Sequence, residues 1–157
     1  METGTLEKIL VAFDGSEESK KALSYAITFA RVFNSLITIV YVAGETVIGP
    51  LVSPSAASQA GEFQASLLPL PENIRDLMTK EALDILSQTK EDVEKIWHKL
   101  DFAVVSGDPS SEIVKEAKKG YDLVIVGHRG LHSSLFSLGN VAEKVVKNAP
   151  CSVLVIK

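Results

Sequence analysis

Cysteine is all but missing from this chain of 157 residues: Cys151 is the only one. No disulfide can close within the chain, and such usage fits a reducing, cytosolic setting. Long apolar runs are missing too. None approaches the roughly 20 residues of a membrane span. The opening Met1-Glu2-Thr3-Gly4-Thr5-Leu6-Glu7-Lys8 lacks the basic region and apolar stretch of a secretory signal. There is no dense basic segment and the formal charge is −4, which argues against nucleic acid as a partner.

Several catalytic signatures are also absent. Ser16 stands in Asp-Gly-Ser-Glu, not in a Gly-x-Ser-x-Gly elbow. Neither a Walker loop nor a dinucleotide fingerprint can be found. His128 and His132 have no third ligand and no Cys-x-x-Cys beside them, so they make a poor metal site. Cys151 reads as a small core residue rather than a nucleophile. What remains is one cytoplasmic domain over 1–157, with 46% apolar and 23% charged residues, ordinary for a globular protein.

Taken in order, the chain alternates strand and helix patterns. Lys8 to Phe13 is a near-continuous apolar run, as in a strand buried on both faces. Asp14-Gly15-Ser16 ends it, and Ser16 is a candidate N-cap with Glu17 and Glu18 in the first turn. Ala22, Leu23, Ala26, Ile27, Ala30 and Phe33 then share one helical stripe, and Asn34 terminates it. Leu36 to Val42 is a β-branched second strand. Gly44 to Pro71, with prolines at 50, 54, 69 and 71 and no lysine or arginine, reads as a variable insertion with a short helix near Ala56 to Leu67. Glu72 to Leu100 is helical, with Ile74, Leu77, Met78, Ala82, Ile85, Val93, Ile96, Trp97 and Leu100 near one face. Phe102 to Ser106 is a third strand. Asp108 and Pro109 open a short helix that Gly120 closes. Leu123 to Val126 is the fourth strand, a helix carries Val141, Val145 and Val146, and Pro150 precedes a fifth strand from Cys151 to Ile156. This predicts an open five-stranded parallel sheet with helices on both faces and right-handed crossovers.

The fourth strand, its loop and the following helix carry the most chemistry. Helix-start amides suit phosphate, and glycines allow positive φ and close approach to a ligand. Gly127, Gly130, Gly139, the side chains of His128 and Arg129, and the Asn140 amide therefore make this stretch a candidate anion cradle. A plain strand-to-helix turn would use glycine in the same way, so the spacing alone leaves both readings open.

Three landmarks stand together: Val-Ala-Phe-Asp14-Gly15-Ser16, Gly107-Asp108-Pro109, and Val126-Gly127-x-x-Gly130…Gly139-Asn140-Val-Ala-Glu-Lys-Val-Val…Ala149-Pro150-Cys151-x-Val-Leu-Val-Ile156. In this combination the chain resembles the universal stress protein family along almost its whole length, least over Gly44 to Pro71. The resemblance implies a Rossmann-like, adenine-nucleotide-binding sheet and a homodimer joined through the last strand, with Val153 and Val155 at the joint. It implies ATP or AMP as ligand, with magnesium possible and Asp14 as its contact or that of the nucleoside. It also implies Val42 against adenine, Ala12 and Val126 as walls of the base, and Gly127, Gly130, Gly139, Asn140 and Val141 around phosphates, with Arg129 as charge partner.

Each role has a plainer counterpart. Asp14 could cap the next helix, Ala12, Val42 and Val126 could be ordinary core, and Arg129 a solvated loop residue. The family pattern has nine residues between its second and third glycines and then Ser or Thr. Here Leu131 to Leu138 supply eight, followed by Asn140. Asparagine can donate to phosphate but cannot mimic a hydroxyl on a metal. No catalytic residue is assigned, and any ATP hydrolysis is expected to be slow. The functional expectation is a nucleotide-binding regulatory stress-response protein acting on an unknown protein partner. The alternative is a nucleotide-independent dimeric interaction module, and a dedicated ATPase is least favoured.

Overall fold

β1 (Lys8–Ala12) has no polar face, and it occupies the centre of the sheet, where both faces are covered. The computed structural model describes residues 5–43, 72–129 and 138–157. After β1 come α1 (Glu17–Phe33), β2 (Leu36–Ala43), α2 (Glu72–Glu94), β3 (Leu100–Ser106), α3 (Pro109–Ala117), β4 (Leu123–Gly127), α4 (Asn140–Asn148) and β5 (Ser152–Ile156). The strands pair in parallel in the order β3-β2-β1-β4-β5. The expected five-stranded parallel sheet is the one observed. The expected short helix within Gly44 to Pro71 lies outside the described residues.

Alternation along β1 divides the interior into two cores. Ile9, Val11 and Phe13 face α1 and α2, meeting Ala22, Leu23, Ala26 and Ala30 of α1 and Leu86 and Val93 of α2. Leu10 and Ala12 face α3 and α4, meeting Ile113, Ala117, Ala142 and Val145. Small residues on the sheet side of α1 let its axis lie close to the strands.

The boundaries follow local chemistry. Ser16 Oγ accepts from Ser19 N at 3.1 Å and caps α1, and Asn34 ends that helix in the left-handed region at φ 60°. Asp108 caps α3 with its carboxylate, and Pro109 fills the first turn. Pro150 forces an extended residue before it, so Ala149 leaves the helix.

Four expectations need correction. α2 stops at Glu94 instead of Leu100, because Trp97 Nε1 donates to Ser35 O at 3.1 Å and β2 pairs with β3 from Leu100 onward, two residues before Phe102. α3 ends at Ala117, and Gly120 serves the turn after it at φ +92°. Phe33, Ile85, Ile96 and Val146 were expected inward but are exposed. Each lies at the margin of its stripe, or beyond its helix, where the sheet no longer covers it. On α2 the described buried residues are Val93, which the pattern placed inward, and Leu86, which it did not. The side chains of Ile74, Leu77, Met78 and Ala82 lie outside the described set.

Candidate functional site

Chain direction reverses between β1 and β4: the chain runs outward from β1 through β2 to β3, then returns to lay β4 and β5 on the other side. Open α/β sheets leave a crevice beyond the carboxyl ends of their strands at such a switch. Three segments converge there, namely Asp14-Gly15-Ser16 after β1, Gly127-His128-Arg129 at the end of β4, and the start of α4.

The first is a tight turn. Gly15 adopts φ +82°, a conformation costly for any side chain, and Asp14 Oδ1 accepts from Ser16 N at 3.0 Å. Because Ser16 already caps α1, Asp14 organises the turn and holds a half-buried carboxylate at the mouth of the crevice.

The second segment explains two glycines by space. A Cβ on Gly127 would lie 2.9 Å from Glu18 Cβ and 3.1 Å from the Glu18 carbonyl carbon, so the first turn of α1 rests on the end of β4. A Cβ on Gly139 would lie 3.0 Å from His128 O, the same oxygen that accepts from Gly139 N at 2.8 Å. The expectation that these glycines supply positive φ is corrected: Gly139 has φ −59°, and the described positive-φ glycines are Gly15, Gly107 and Gly120. At Gly127 and Gly139 the requirement is close approach of backbone to backbone. Gly130 and His132 lie outside the described residues.

The third segment is the chemically open one. Of the three helices whose N-caps are described, α1 and α3 are capped by side-chain oxygens, whereas Gly139 offers α4 none. The first amides of α4, at Asn140, Val141 and Ala142, therefore receive no cap from Gly139, and the helix dipole makes their end attractive to an anion. Asn140 is exposed beside them, Val141 is half-buried, and Arg129 is half-buried on the facing loop.

The expected base wall also shares one side of the sheet. Ala12 and Val126 are buried and Val42 is half-buried, all in the core beneath α3 and α4. The register Val11↔Ile125 puts Ala12 and Val126 one step further along neighbouring strands. Val42 pairs with Val105 at the far end of β2.

Other groups fall outside the site. The Cys151 thiol is pushed up by burial and by the Asp122 carboxylate, which keeps it protonated and unreactive. Among the described residues no group of three His, Cys, Asp or Glu side chains is placed to hold a metal. An open depression of about 640 Å³, lined by Leu6, Lys8, Phe33 and Lys99, lies at the amino ends of the strands, away from the crevice. Two contributors were missed in the sequence. Glu18 gives Gly127 its reason, and Asp122 accepts from the Glu7 and Lys8 amides, each at 2.8 Å, to fix the entry of β1. A glycine at a strand end was the available signal for the first. The second had none, because it spans the chain.

A parallel sheet in this order, with a glycine-preceded helix start at its switch point, is a Rossmann-like α/β fold of the nucleotide-binding type. Residues 5–157 match the universal stress protein family, and the chain belongs to it. It is 33% identical over 156 residues to universal stress protein YxiE of Bacillus subtilis, covering 96% of this chain and 98% of that protein. It is also 33% identical over 153 residues to universal stress protein MJ0531 of Methanocaldococcus jannaschii, covering 96% and 82%. UspA from Lactobacillus plantarum has the same fold, with TM-score 0.78, 24% identity and coverage of 99% and 100%. So do a universal stress protein from Archaeoglobus fulgidus in complex with dAMP (TM-score 0.66, 20%, 98% and 100%) and an Arabidopsis thaliana family member with AMP bound (0.61, 22%, 96% and 91%).

Proposed function

We propose that this protein is a cytoplasmic, adenine-nucleotide-binding regulatory protein of the stress response, working as a homodimer. The observation that carries this reading is the α4 amino terminus, which Gly139 leaves without a side-chain cap of its own and docks through its N on His128 O at the switch point. In this reading the phosphates of AMP or ATP meet the amides of Asn140 and Val141 and the Asn140 side chain. Arg129 supplies charge, and the close-packed Gly127 and Gly139 keep the cradle narrow. Gly130 is assigned to the same cradle by motif. Asp14 holds the nucleoside, and Ala12, Val42 and Val126 border the base. A magnesium ion would arrive with the phosphates, keep most of its water, and use Asp14 as its protein ligand. No motif assigns a general base, so in this reading hydrolysis is slow. The AMP and dAMP complexes of proteins with this fold support the choice of ligand.

A second reading is favoured by one observation. Gly127 and Gly139 are both accounted for by contacts within the chain, to Glu18 and His128, without any ligand. That suits an interaction module which keeps the fold and binds no nucleotide. Mass spectrometry of small molecules released from the purified, denatured protein separates the two, backed by calorimetric titration with AMP and ATP, each with and without magnesium. Released or titratable adenine nucleotide supports the first reading. Clean protein that shows no heat under saturating nucleotide supports the second.

A further inference from the structure

The turn that carries Asp14 is held by two neighbours. Glu18, in the first turn of α1, rests on Gly127 at the end of β4. The other neighbour is α2: the point where a Gly15 Cβ would stand lies 3.7 Å from Ile85 Cγ2 and 3.8 Å from Ile85 Cδ1. Among the described residues beyond the turn itself, no other atom comes within 4 Å of that point. Gly15 holds φ +82°, so the turn presents a bare Cα there, and the two Ile85 methyls cover it. Ile85 is 41% exposed, and this contact occupies its inner side. The helix behind it is thinly anchored. Over residues 84–94 the buried side chains of α2 are Leu86 and Val93, with Thr89 half-buried. A helix with so narrow a seam sits at the low-stability end of a fold, where a small gain in contact shifts its opening equilibrium.

We propose that Ile85 is a positioning residue for the nucleotide site and couples it to α2: its side chain holds Gly15, and with it the Asp14 carboxylate, in the binding geometry, and an occupied site in turn steadies α2. The inference rests on the nucleotide reading above and adds a route by which occupancy reaches the face of the sheet opposite α4. The path is short. Asp14 Oδ1 accepts from Ser16 N at 3.0 Å, so the carboxylate and the Gly15 backbone belong to one turn, and a ligand that fixes the first also fixes the second. Ile85 packs on that turn, and its contact is complete only while the turn is in place. Binding and α2 packing then favour each other, and linkage makes the effect equal in both directions. Removing the side chain must therefore weaken nucleotide binding and cut α2 off from it together. A side chain that only filled space would change stability and leave affinity alone.

Calorimetric titration of the full chain with AMP, and with ATP plus magnesium, tests this in the parent, Ile85→Ala, Ile85→Val and, as control, Ile96→Ala, an exposed apolar residue beyond the end of α2. Hydrogen exchange over residues 84–94 is followed with and without nucleotide, while melting and circular dichroism confirm that each variant is folded. Ile85→Ala should bind about fivefold more weakly, the lower end of ordinary coupling between sites. It should also lose the slowing of α2 exchange that nucleotide produces in the parent. Ile85→Val, which keeps the branched methyls at Cβ, should stay near the parent in both, and Ile96→Ala should match the parent. A parent that binds neither nucleotide overturns the nucleotide reading and this inference with it. A parent that binds without slowing α2 exchange, or an Ile85→Ala variant with the parent's affinity, overturns the coupling alone.

Discussion

His128 N donates to Ile156 O at 2.6 Å, tying the loop of the proposed nucleotide site to the last residue of β5. The bond also fixes which way β5 turns its backbone. In a strand the N–H and C=O of one residue point to the same side and alternate with those of the next. With Ile156 turned toward β4, Val153 and Val155 turn their polar groups outward, to the free edge.

That alternation gives the first prediction. Proline at an edge position whose N–H faces outward removes no bond of the β4 ladder. Val153→Pro should therefore stay folded and lose edge pairing, becoming monomeric by light scattering at concentrations where the parent is dimeric. Leu154→Pro removes a β4 bond, and should lower the melting temperature instead. Equal dimerisation of Val153→Pro and the parent would show that β5 is not the joint.

The second prediction concerns Gly127. Its backbone is not in the left-handed region, so alanine meets no conformational penalty there, only the 2.9 Å approach to Glu18 Cβ and the 3.1 Å approach to the Glu18 carbonyl carbon. One side of that clash is main chain, and it can be relieved only by lifting the first turn of α1. Overpacking of this kind costs about 1–3 kcal/mol. Gly127→Ala should show that loss in urea unfolding, and Glu18→Gly beside it should recover little, because the backbone contact remains.

Much of this fold was legible from apolar runs. β1 reads as a two-sided strand because Ile9, Leu10, Val11 and Phe13 leave no polar face, and Ser16, Asn34, Asp108 and Pro150 each marked a helix end by side-chain chemistry that acts within four residues. The misreadings share a cause. Ile85, Ile96 and Val146 are apolar at helical spacing, but whether such a residue is covered depends on how far the sheet extends beneath it. Leu100 joined β3 because β2 recruits it, a partner sixty residues away in sequence and invisible to a local pattern. At the site, composition identified glycine correctly and mistook its purpose, since tight packing and positive φ leave the same letter in the sequence.

Acid stability supplies the third prediction. Asp108 accepts from the hydroxyls of Ser110 and Ser111 and from Ser111 N, which hold its carboxyl at about 2 against an ordinary 3.8. The folded value lies below the unfolded one. The stabilisation is therefore complete above about pH 4 and is lost as the pH falls toward 2. The group is exposed, so solvent screening keeps the gain small, and the cap itself is worth ~1 kcal/mol. Asp108→Ala should lose that amount at neutral pH. Asp108→Asn, an equally good cap, should keep it while flattening the decline in urea midpoint between pH 4 and 2.

The last prediction goes to the start of α4. If its first amides and the Asn140 side chain receive phosphate, deleting the side chain removes one donor to a charged group and leaves the helix start in place. Such a bond is worth ~1.5–3 kcal/mol, so Asn140→Ala should weaken AMP or ATP binding by about one to two decades. Asn140→Ser, which retains a donor and is a favoured residue near a helix start, should bind more tightly than the alanine variant. Gly139→Val acts differently. Its side chain would press on His128 O, 3.0 Å from the new Cβ, and push α4 away from the end of β4. Binding should then be lost together with some stability. The informative result is the order parent, serine, alanine, valine in calorimetric affinity, with circular dichroism showing the first three equally folded. Identical affinities across those three would mean that the start of α4 is only the beginning of a helix.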